Sequence, residues 1–526
     1  MADFVQVLRV EALPPGAVTV ATVNGRDICL ANVGGEVFAL DNRCPHRGGQ
    51  LGDGRLEGTD VICPLHGWDF DARTGISRYD PRDRVPTYPV RVVGGMVEVD
   101  ASAVEPLPVK DGYLQRWARV DDALETEMKT IRRLSEGVWS EHTPMRTDRP
   151  VPGFDSLYFL PGQLADPPLL DDEEVDTTVV IGPRAERPIT LSVPFYVSHM
   201  SFGALSREAK IALARGAAQV GTMNCSGEGG MLPEERAEAR FYVFEMASGY
   251  FGWTEENIRQ ADAIEIKMGQ SAKTGLGGVL PGAKVTPEIA AVRGLQAGQD
   301  AISPSRFPDI ETPRQMQERI EWIRRVRPGI PVGIKFAASK LEADLAAACE
   351  LGVDFITLDG RPGGTGAAPK HVKDHIGVPT VYALPRARQW LDAHGMGHIT
   401  LCVTGGFRTP ADIAKALALG ADAVALATAA MIAIGCQQYR ACNSNNCPVG
   451  IATQRADLRR RFDIEESSRR LVNFFEGTRR QLVEFARMCG RRRLADLGMQ
   501  DVVTYDDALA RYTGIRHAAQ PFPTGE

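Results

Sequence analysis

Cysteine is scarce in this chain, with 10 in 526 residues. So few cannot form a disulfide framework over such a length, which leaves the thiols for metal ligation or for burial in a reducing compartment. No charge of one sign dominates. Lys and Arg number 60 against 67 Asp and Glu, a formal charge of −7, and no basic field invites nucleic acid. No long hydrophobic run is present. The most apolar stretch, 423–435, is too short for a bilayer and is rich in alanine. The opening MADFVQVLRVEALPPG lacks a basic region followed by an apolar one, so it does not read as a secretory signal. A soluble, cytoplasmic protein is expected, with neither nucleic acid nor membrane as partner. A hydrophobic content of 44% is ordinary for a folded chain, and 526 residues are too many for one core, so two or three domains are expected.

The texture changes along the chain. Residues 1–104 hold short alternating runs (VQVLRV, AVTVATV, DICLANV, EVFALD, VIC, VRVVGGMVEV), with Gly34 and Gly35 as a hairpin turn. This reads as a small all-β domain. Residues 105–150 read as a linker with a helix over 112–136 that stops at a glycine. From Pro194 onward, apolar runs alternate with alanine-rich helical stretches: PFYVSHM, VGTMNC, AIEIKMG, DAISP, VGIKF, FITLDG, ITLCVTGG and AVALAT. Alternation of this kind argues for parallel βαβ units. Eight such strands suggest a (β/α)8 barrel, a TIM barrel, whose active site would lie at the C-terminal strand ends. The barrel domain is placed at 151–460 and a charged helical extension at 461–526.

Two runs carry the strongest local signal. CPHRGG and CPLHGW supply Cys44, His46, Cys63 and His66, as C-x-H, sixteen residues, then C-x-x-H. Two thiolates with two imidazoles suit a [2Fe–2S] cluster with cysteines on one iron and histidines on the other. The same four donors also suit zinc, but zinc fingers group Cys with Cys and His with His. Here each half gives one of each, a proline follows each cysteine, and glycines surround both. Residues 1–104 resemble the Rieske family. The extra cysteines of the respiratory branch are missing, since those slots hold Arg47, Gly48 and Gly49 in one half and Leu65 in the other. The likeness is to the ferredoxin-type or oxygenase-type branch, so single-electron transfer is implied.

A second cysteine group, Cys436, Cys442 and Cys447, is spaced C-x5-C-x4-C. Three thiolates suit a three-iron cluster; zinc with a remote fourth ligand and buried free thiols are the alternatives that spacing leaves open. The segment continues as CPVGIATQ. Together with SFGALSREAK (201–210), GEGGMLPE (227–234), EIKMGQSAKTGLGGVLPGAKV (265–285), GGTGAAP (363–369) and TGGFRTPADIAKALALGAD (404–422), it resembles the flavin-binding synthase domain of glutamate synthase over about 150–460. The resemblance implies a (β/α)8 barrel holding FMN and a [3Fe–4S] cluster, with Cys436, Cys442 and Cys447 as its ligands.

FMN needs backbone N–H groups around its phosphate. Gly363, Gly364 and Thr365 after the sixth strand, Gly405 and Gly406 after the seventh, and Ala427 and Thr428 at the eighth suit the usual barrel phosphate position. By resemblance, Met200 and Ser201 lie against the ring, and Gln270 and Lys335 contact it. Lys273, Glu228 and Arg293 match positions that face a 2-oxo acid. Lys and Arg would hold carboxylates, and Glu228 would handle protons or ammonium. Two polar positions of the family's KPGEGGQLPG are apolar here: Leu276 replaces Glu and Val279 replaces Gln. Apolar swaps at a binding site discriminate strongly, so an acid other than 2-oxoglutarate is in view. His371 and His375 are four apart, a metal-ligand spacing on a helix, but no carboxylate partner is evident and an ordinary barrel helix is the stronger reading.

No stretch resembles the family's glutaminase, and no G-x-G-x-x-G sits on a strand–helix unit for NAD(P)H. Nitrogen is therefore expected as a free amine or from a separate amidotransferase subunit, and electrons from a ferredoxin or reductase. The expected function is reduction of an imine, formed from a 2-oxo acid and an amine, to an amino acid. The alternatives are N-methylglutamate synthase-like amine transfer with partner subunits, and a non-catalytic electron-transfer subunit.

Overall fold

The structure, a computed structural model, describes residues 2–522 apart from 47, 79–80, 106–121 and 123. The chain divides into two compact units, Met1–Trp139 and Ser140–Glu526.

Among its described residues the first unit is all-β as expected, apart from one short α-helix. A four-stranded antiparallel sheet runs in the order Val18–Val23, Arg26–Val33, Glu36–Asp41, Thr87–Tyr88. A second sheet orders Phe4–Arg9, Met96–Asp100, Val90–Val93, and a third is the meander Arg55–Glu57, Asp60–Ile62, Asp69–Asp71. Gly34 and Gly35 have φ of 63° and 101°. Such angles suit a tight hairpin, and glycine adopts them without steric cost. The strand Arg26–Val33 serves two cores, because successive side chains of a strand point to opposite faces. Ile28 and Leu30 pack with Val37, Val97 and Val99, whereas Cys29 and Ala31 pack with Leu40, Leu51, Val61 and Phe70. Of the helix expected over 112–136, residues 112–121 and 123 lie outside the described residues, and the described helix is Met128–Ser135.

The second unit is a closed barrel of eight parallel strands: Phe195–Val197, Met223–Cys225, Phe241–Met246, Ala263–Lys267, Val332–Ala337, Phe355–Asp359, Thr400–Thr404 and Ala423–Leu426. The expected number of strands is right, but one member is not. DAISP is no barrel strand; Ala301–Ile302 pairs antiparallel with Val279–Leu280 in a two-residue ribbon. The third strand is instead Phe241–Met246, flanked by parallel partners on both sides. Its Glu245 points into the barrel and interrupts the apolar run that a fully buried strand is expected to show. A hairpin, Val179–Ile181 with Ile189–Leu191, packs Ile181, Ile189 and Leu191 against inward-facing Met223, Val243 and Phe355 near the N-terminal strand ends. The opposite end of the barrel is left for chemistry.

The tail expected to be helical carries the helices Ile464–Met488 and Asp507–Thr513, but also the strands Val502–Thr504 and Arg516–His517, which form a sheet with Leu157–Phe159. Ile464–Met488 buries Leu471, Phe475, Thr478, Leu482 and Ala486, spaced three or four apart as one helix face requires. It packs on the helix Arg207–Val220 at Gly216, where a Cβ would stand 2.8 Å from Leu471 Cδ2. Glycine there lets the two helices approach closely.

Candidate active site and cluster sites

In the first unit, the loops 44–49 and 63–68 close by matching bonds. Cys44 N–H donates to the Gly49 carbonyl at 2.8 Å, and Cys63 N–H donates to the Trp68 carbonyl at 2.7 Å. Gly48 and Gly67 donate back to the Cys44 and Cys63 carbonyls, and both have a φ of 71°. Gly49 admits no side chain, because a Cβ would lie 2.7 Å from Cys63 Sγ. Both cysteines are buried. A hydrogen bond from Cys44 and backbone N–H groups of Leu65 and His66 outweigh burial and draw the Cys63 thiol down to about 6. The His46 and His66 rings meet edge-on at 4.7 Å, and His46 stacks on Trp68 at 4.5 Å.

Thiol thus meets thiol, and imidazole meets imidazole. Around one zinc ion at roughly 2.0–2.3 Å, all four donors would crowd within about 4 Å of one another. Among the described residues, no three of these donors come within 4.8 Å of one another. Two pairs set apart match a two-iron cluster with cysteines on one iron and histidines on the other.

In the second unit, a cavity of about 480 Å³ opens at the C-terminal strand ends. The structure brings every sequence-predicted flavin and substrate residue to its wall. Met200 and Ser201 follow the first strand and Glu228 the second, while Gln270 and Lys273 follow the fourth. Lys335 lies on the fifth; Gly363, Gly364 and Thr365 follow the sixth, Gly405 and Gly406 the seventh, and Ala427 and Thr428 the eighth. Arg293 enters from the helix Pro287–Arg293. His371 and His375 are exposed, and the helix Lys370–Lys373 ends before the second of them.

The charges on this wall are paired in a definite way. Lys267 Nζ lies 2.6 Å from Glu228 Oε2 and 3.6 Å from Glu245. Burial raises the Glu228 pKa, but Lys267, Lys273 and Arg293 outweigh it and hold the carboxyl at about 2. Lys273 is drawn below its ordinary value by burial, partly opposed by Glu228. Arg293 is 4% exposed, and burial brings it to about 10. Its Nη2 donates to the Phe202 carbonyl at 2.7 Å and its guanidinium lies over the Phe251 ring.

Deeper in the barrel, Glu245 and Glu265 are direct neighbours across the third and fourth strands, and Lys267 and Lys335 across the fourth and fifth. His199 Nε2 contacts Glu265 and lies 3.8 Å from Glu245, and Thr357 donates to Glu265. Burial raises the Glu265 pKa, but His199 and Lys335 reverse that and leave it below the usual carboxylate range. His199, Glu245 and Glu265 gather donor atoms within 4.8 Å. Glu228, Glu245 and Glu265 are thus each met by a nitrogen donor from Lys267, Lys335 or His199.

Sequence reasoning missed Lys267, Glu265, Glu245 and His199. Alternation in AIEIK was the available signal, since it places Glu265 and Lys267 on one face of a strand otherwise apolar.

The residues fit FMN. At Gly363 a Cβ would strike Ser271 Oγ at 2.0 Å, and at Gly405, with φ of 110°, it would strike the Gly360 carbonyl at 2.0 Å. Only glycine permits these loops, and bare backbone then faces the cavity, as a phosphate cradle requires. Lys335, 5% exposed, is a buried cation on the same wall.

The three-cysteine segment follows the short helix Thr428–Ala433, and its turns place Gln438, Arg440 and Asn445 at φ of 60°, 56° and 67°. Burial, then Cys447 and Cys436, push the Cys442 thiol up to about 12, so the three thiols share one pocket. Among the described residues they do not all come within 4.8 Å of one another, which is too wide for a single ion and leaves room for several. Lys284, 2% exposed, donates to the carbonyls of Cys442 at 3.1 Å and Ala452 at 3.3 Å. A buried cation beside three thiols suits an anionic cluster. Cys442 also lines the cavity, so the two sites adjoin.

A closed parallel barrel with paired charges and glycine loops at its C-terminal strand ends defines an enzyme barrel of the (β/α)8 class. The family model for the conserved region in glutamate synthase matches residues 163–492, and that for the Rieske [2Fe-2S] domain matches residues 3–89. The chain is 38% identical over 376 residues to the glutamate synthase large subunit-like protein of Rhizobium meliloti, covering 68% of this chain and 85% of that protein. It is 40% identical over 316 residues to the archaeal-type glutamate synthase (NADPH) of Thermotoga maritima, covering 60% of this chain and 62% of that one. Among solved structures, a flavocytochrome b2 variant with sulfite bound is similar with a TM-score of 0.44 and 17% identity, covering 73% of this chain and 87% of that one. The chain belongs to the glutamate synthase family, and a Rieske domain precedes its conserved region.

Proposed function

We propose that the protein is an FMN and iron–sulfur oxidoreductase that makes an amino acid by reducing the imine of a 2-oxo acid and an amine. The carrying observation is the cavity wall, where Lys273 and Arg293 flank a carboxylate, Glu228, already neutralised by Lys267. When bound, FMN supplies the two-electron reduction, and the Rieske cluster with a [3Fe–4S] cluster on Cys436, Cys442 and Cys447 supplies single electrons.

The residues divide the remaining work. Lys273 and Arg293 hold the carboxylates of the acid. Glu228, held at about 2, stays ionised at neutral pH. It holds an ammonium or alkylammonium in place of a lysine rather than passing protons, since proton carriers work best with a pKa near the operating pH. Met200, Ser201, Gln270 and Lys335 form the ring site; the glycine loops with Thr365, Ala427 and Thr428 form the phosphate site. Val279 lines the cavity and is 49% exposed. An apolar side chain there favours an acid or amine with an apolar portion.

On this reading residues 1–104 receive electrons, 105–150 link, 151–460 catalyse, and 461–526 brace the barrel. A ferredoxin or reductase is the donor, and the amine arrives free or from an amidotransferase subunit. Among the described residues no cysteine is in a disulfide, which suits the reducing cytoplasm. Among the described residues no helix is long and apolar enough to cross a membrane.

The test is anaerobic. Protein reduced with dithionite and freed of excess reductant is mixed with panels of 2-oxo acids and amines. The flavin should reoxidise only when both are present, with formation of the matching amino acid. Reoxidation by no pair would reject the catalytic reading in favour of an electron-relay subunit.

A further inference from the structure

The segment 140–149 lies outside both family matches, which cover 3–89 and 163–492. It is nevertheless built into the cavity. His142–Met145 is a strand that pairs antiparallel with Thr365–Pro369, setting His142 opposite Pro369 and Met145 opposite Thr365. The register shifts between Thr143 and Met145, and Met145 has a φ of 68°. An irregularity of this kind bends the strand and re-aims the next side chain. Here the next residue is Arg146, which lines the cavity beside Gly364. The fit is tight, because a Cβ on Gly364 would stand 3.2 Å from Arg146 N and 3.3 Å from Met145 C.

Arg408 reaches the same place from the seventh strand's loop. Its Nη1 donates to the Gly406 carbonyl at 3.1 Å, and it also lines the cavity. Burial and the nearby Arg146 both lower its pKa, so the two guanidiniums repel one another. Neither forms an ion pair with a carboxylate among the described residues. Asp412 and Asp155 act on Arg408 but offset burial and Arg146 only in part, and two cations brought together against bare glycine backbone form a site for a dianion. Guanidinium is well shaped for phosphate, which it grips through paired N–H groups.

We propose that Arg146 and Arg408 clamp the flavin's terminal phosphate, so that the strap 142–146 makes the cavity select FMN over riboflavin. The proposal rests on the FMN reading and adds to it a binding residue from outside the family's conserved region.

The experiment uses the full chain. Wild type, R146Q and R146K are depleted of flavin, then titrated with FMN and with riboflavin by flavin fluorescence. The Rieske EPR signal of each serves as a check on folding. R146Q should bind FMN at least about tenfold more weakly, the scale of one charge-assisted hydrogen-bond pair. Its riboflavin affinity should stay within about twofold of wild type, and R146K should recover part of the FMN loss. Unchanged FMN affinity in R146Q, or an equal loss for riboflavin, would overturn the clamp. Wild type that binds neither flavin would overturn the FMN reading, and the clamp with it.

Discussion

Cys63 and Cys442 are both largely withdrawn from water, yet their thiols are driven in opposite directions. Cys63 is drawn down to about 6, and Cys442 is pushed up to about 12. The difference lies in what faces the sulfur. At Cys63, a hydrogen bond from Cys44 and two backbone N–H groups, from Leu65 and His66, favour the anion. At Cys442 the strongest neighbours are two more thiols, and Lys284 offsets them only in part. Burial alone therefore does not set the charge of a thiol; donors aimed at it do. The first site is prepared for anionic sulfur by its own loops. At the second, Lys284 is the cation that works against burial and the neighbouring thiols.

That contrast can be broken outright. Cys63→Ser should abolish the Rieske signal while leaving flavin and the second cluster, and Cys442→Ser should do the converse. EPR with iron and flavin analysis on each variant checks this. Loss of both clusters from either change would mean that the sites are not independent.

A weaker perturbation asks whether the barrel's charges are as tightly coupled as the Rieske sulfurs. Lys267→Met leaves Glu228, whose side chain is 18% exposed, without its nearest cation, and the loss should approach but not exceed the roughly 3–5 kcal/mol of breaking a fully buried pair. Chemical denaturation should register that loss. The pH dependence should change too. Glu228 is held at about 2 against an ordinary 4.5. Its pairing stabilises the fold fully above pH 4.5 and is lost as pH falls toward 2. In K267M this acid limb should flatten, as thermal unfolding across that range would reveal. An unchanged limb would show that Glu228 does not depend on Lys267.

The smallest change sharpens the comparison within the Rieske loops. Gly49→Ala would place a Cβ 2.7 Å from Cys63 Sγ, and relieving such overpacking costs about 1–3 kcal/mol. The Rieske reduction potential should shift and the second cluster's should not. An unmoved Rieske potential would show that the close approach of Gly49 has no bearing on the sulfur.

The parts legible in the sequence were those fixed by short-range chemistry. Cys44, His46, Cys63 and His66 declare a cluster because ligands must come at short spacing from tight glycine loops. The barrel was legible through its alternating apolar runs, except where Glu245 broke the run of Phe241–Met246 and the short apolar Ala301–Ile302 imitated a strand. Lys267 and Glu265 could be read from alternation alone, since a strand's inward face repeats every second residue. Arg146 could not. Its place beside Arg408 comes from pairing between His142–Met145 and Thr365–Pro369, segments more than two hundred residues apart, and no local pattern encodes such a contact.

The most direct test of the account is EPR of anaerobically purified protein, oxidised and then dithionite-reduced, with flavin extracted from the same sample. The account predicts a three-iron signal in the oxidised protein, a Rieske signal on reduction, and one FMN per chain. A Rieske signal without flavin or a second cluster would contradict it, and would leave the barrel without the chemistry that its cavity is built to hold.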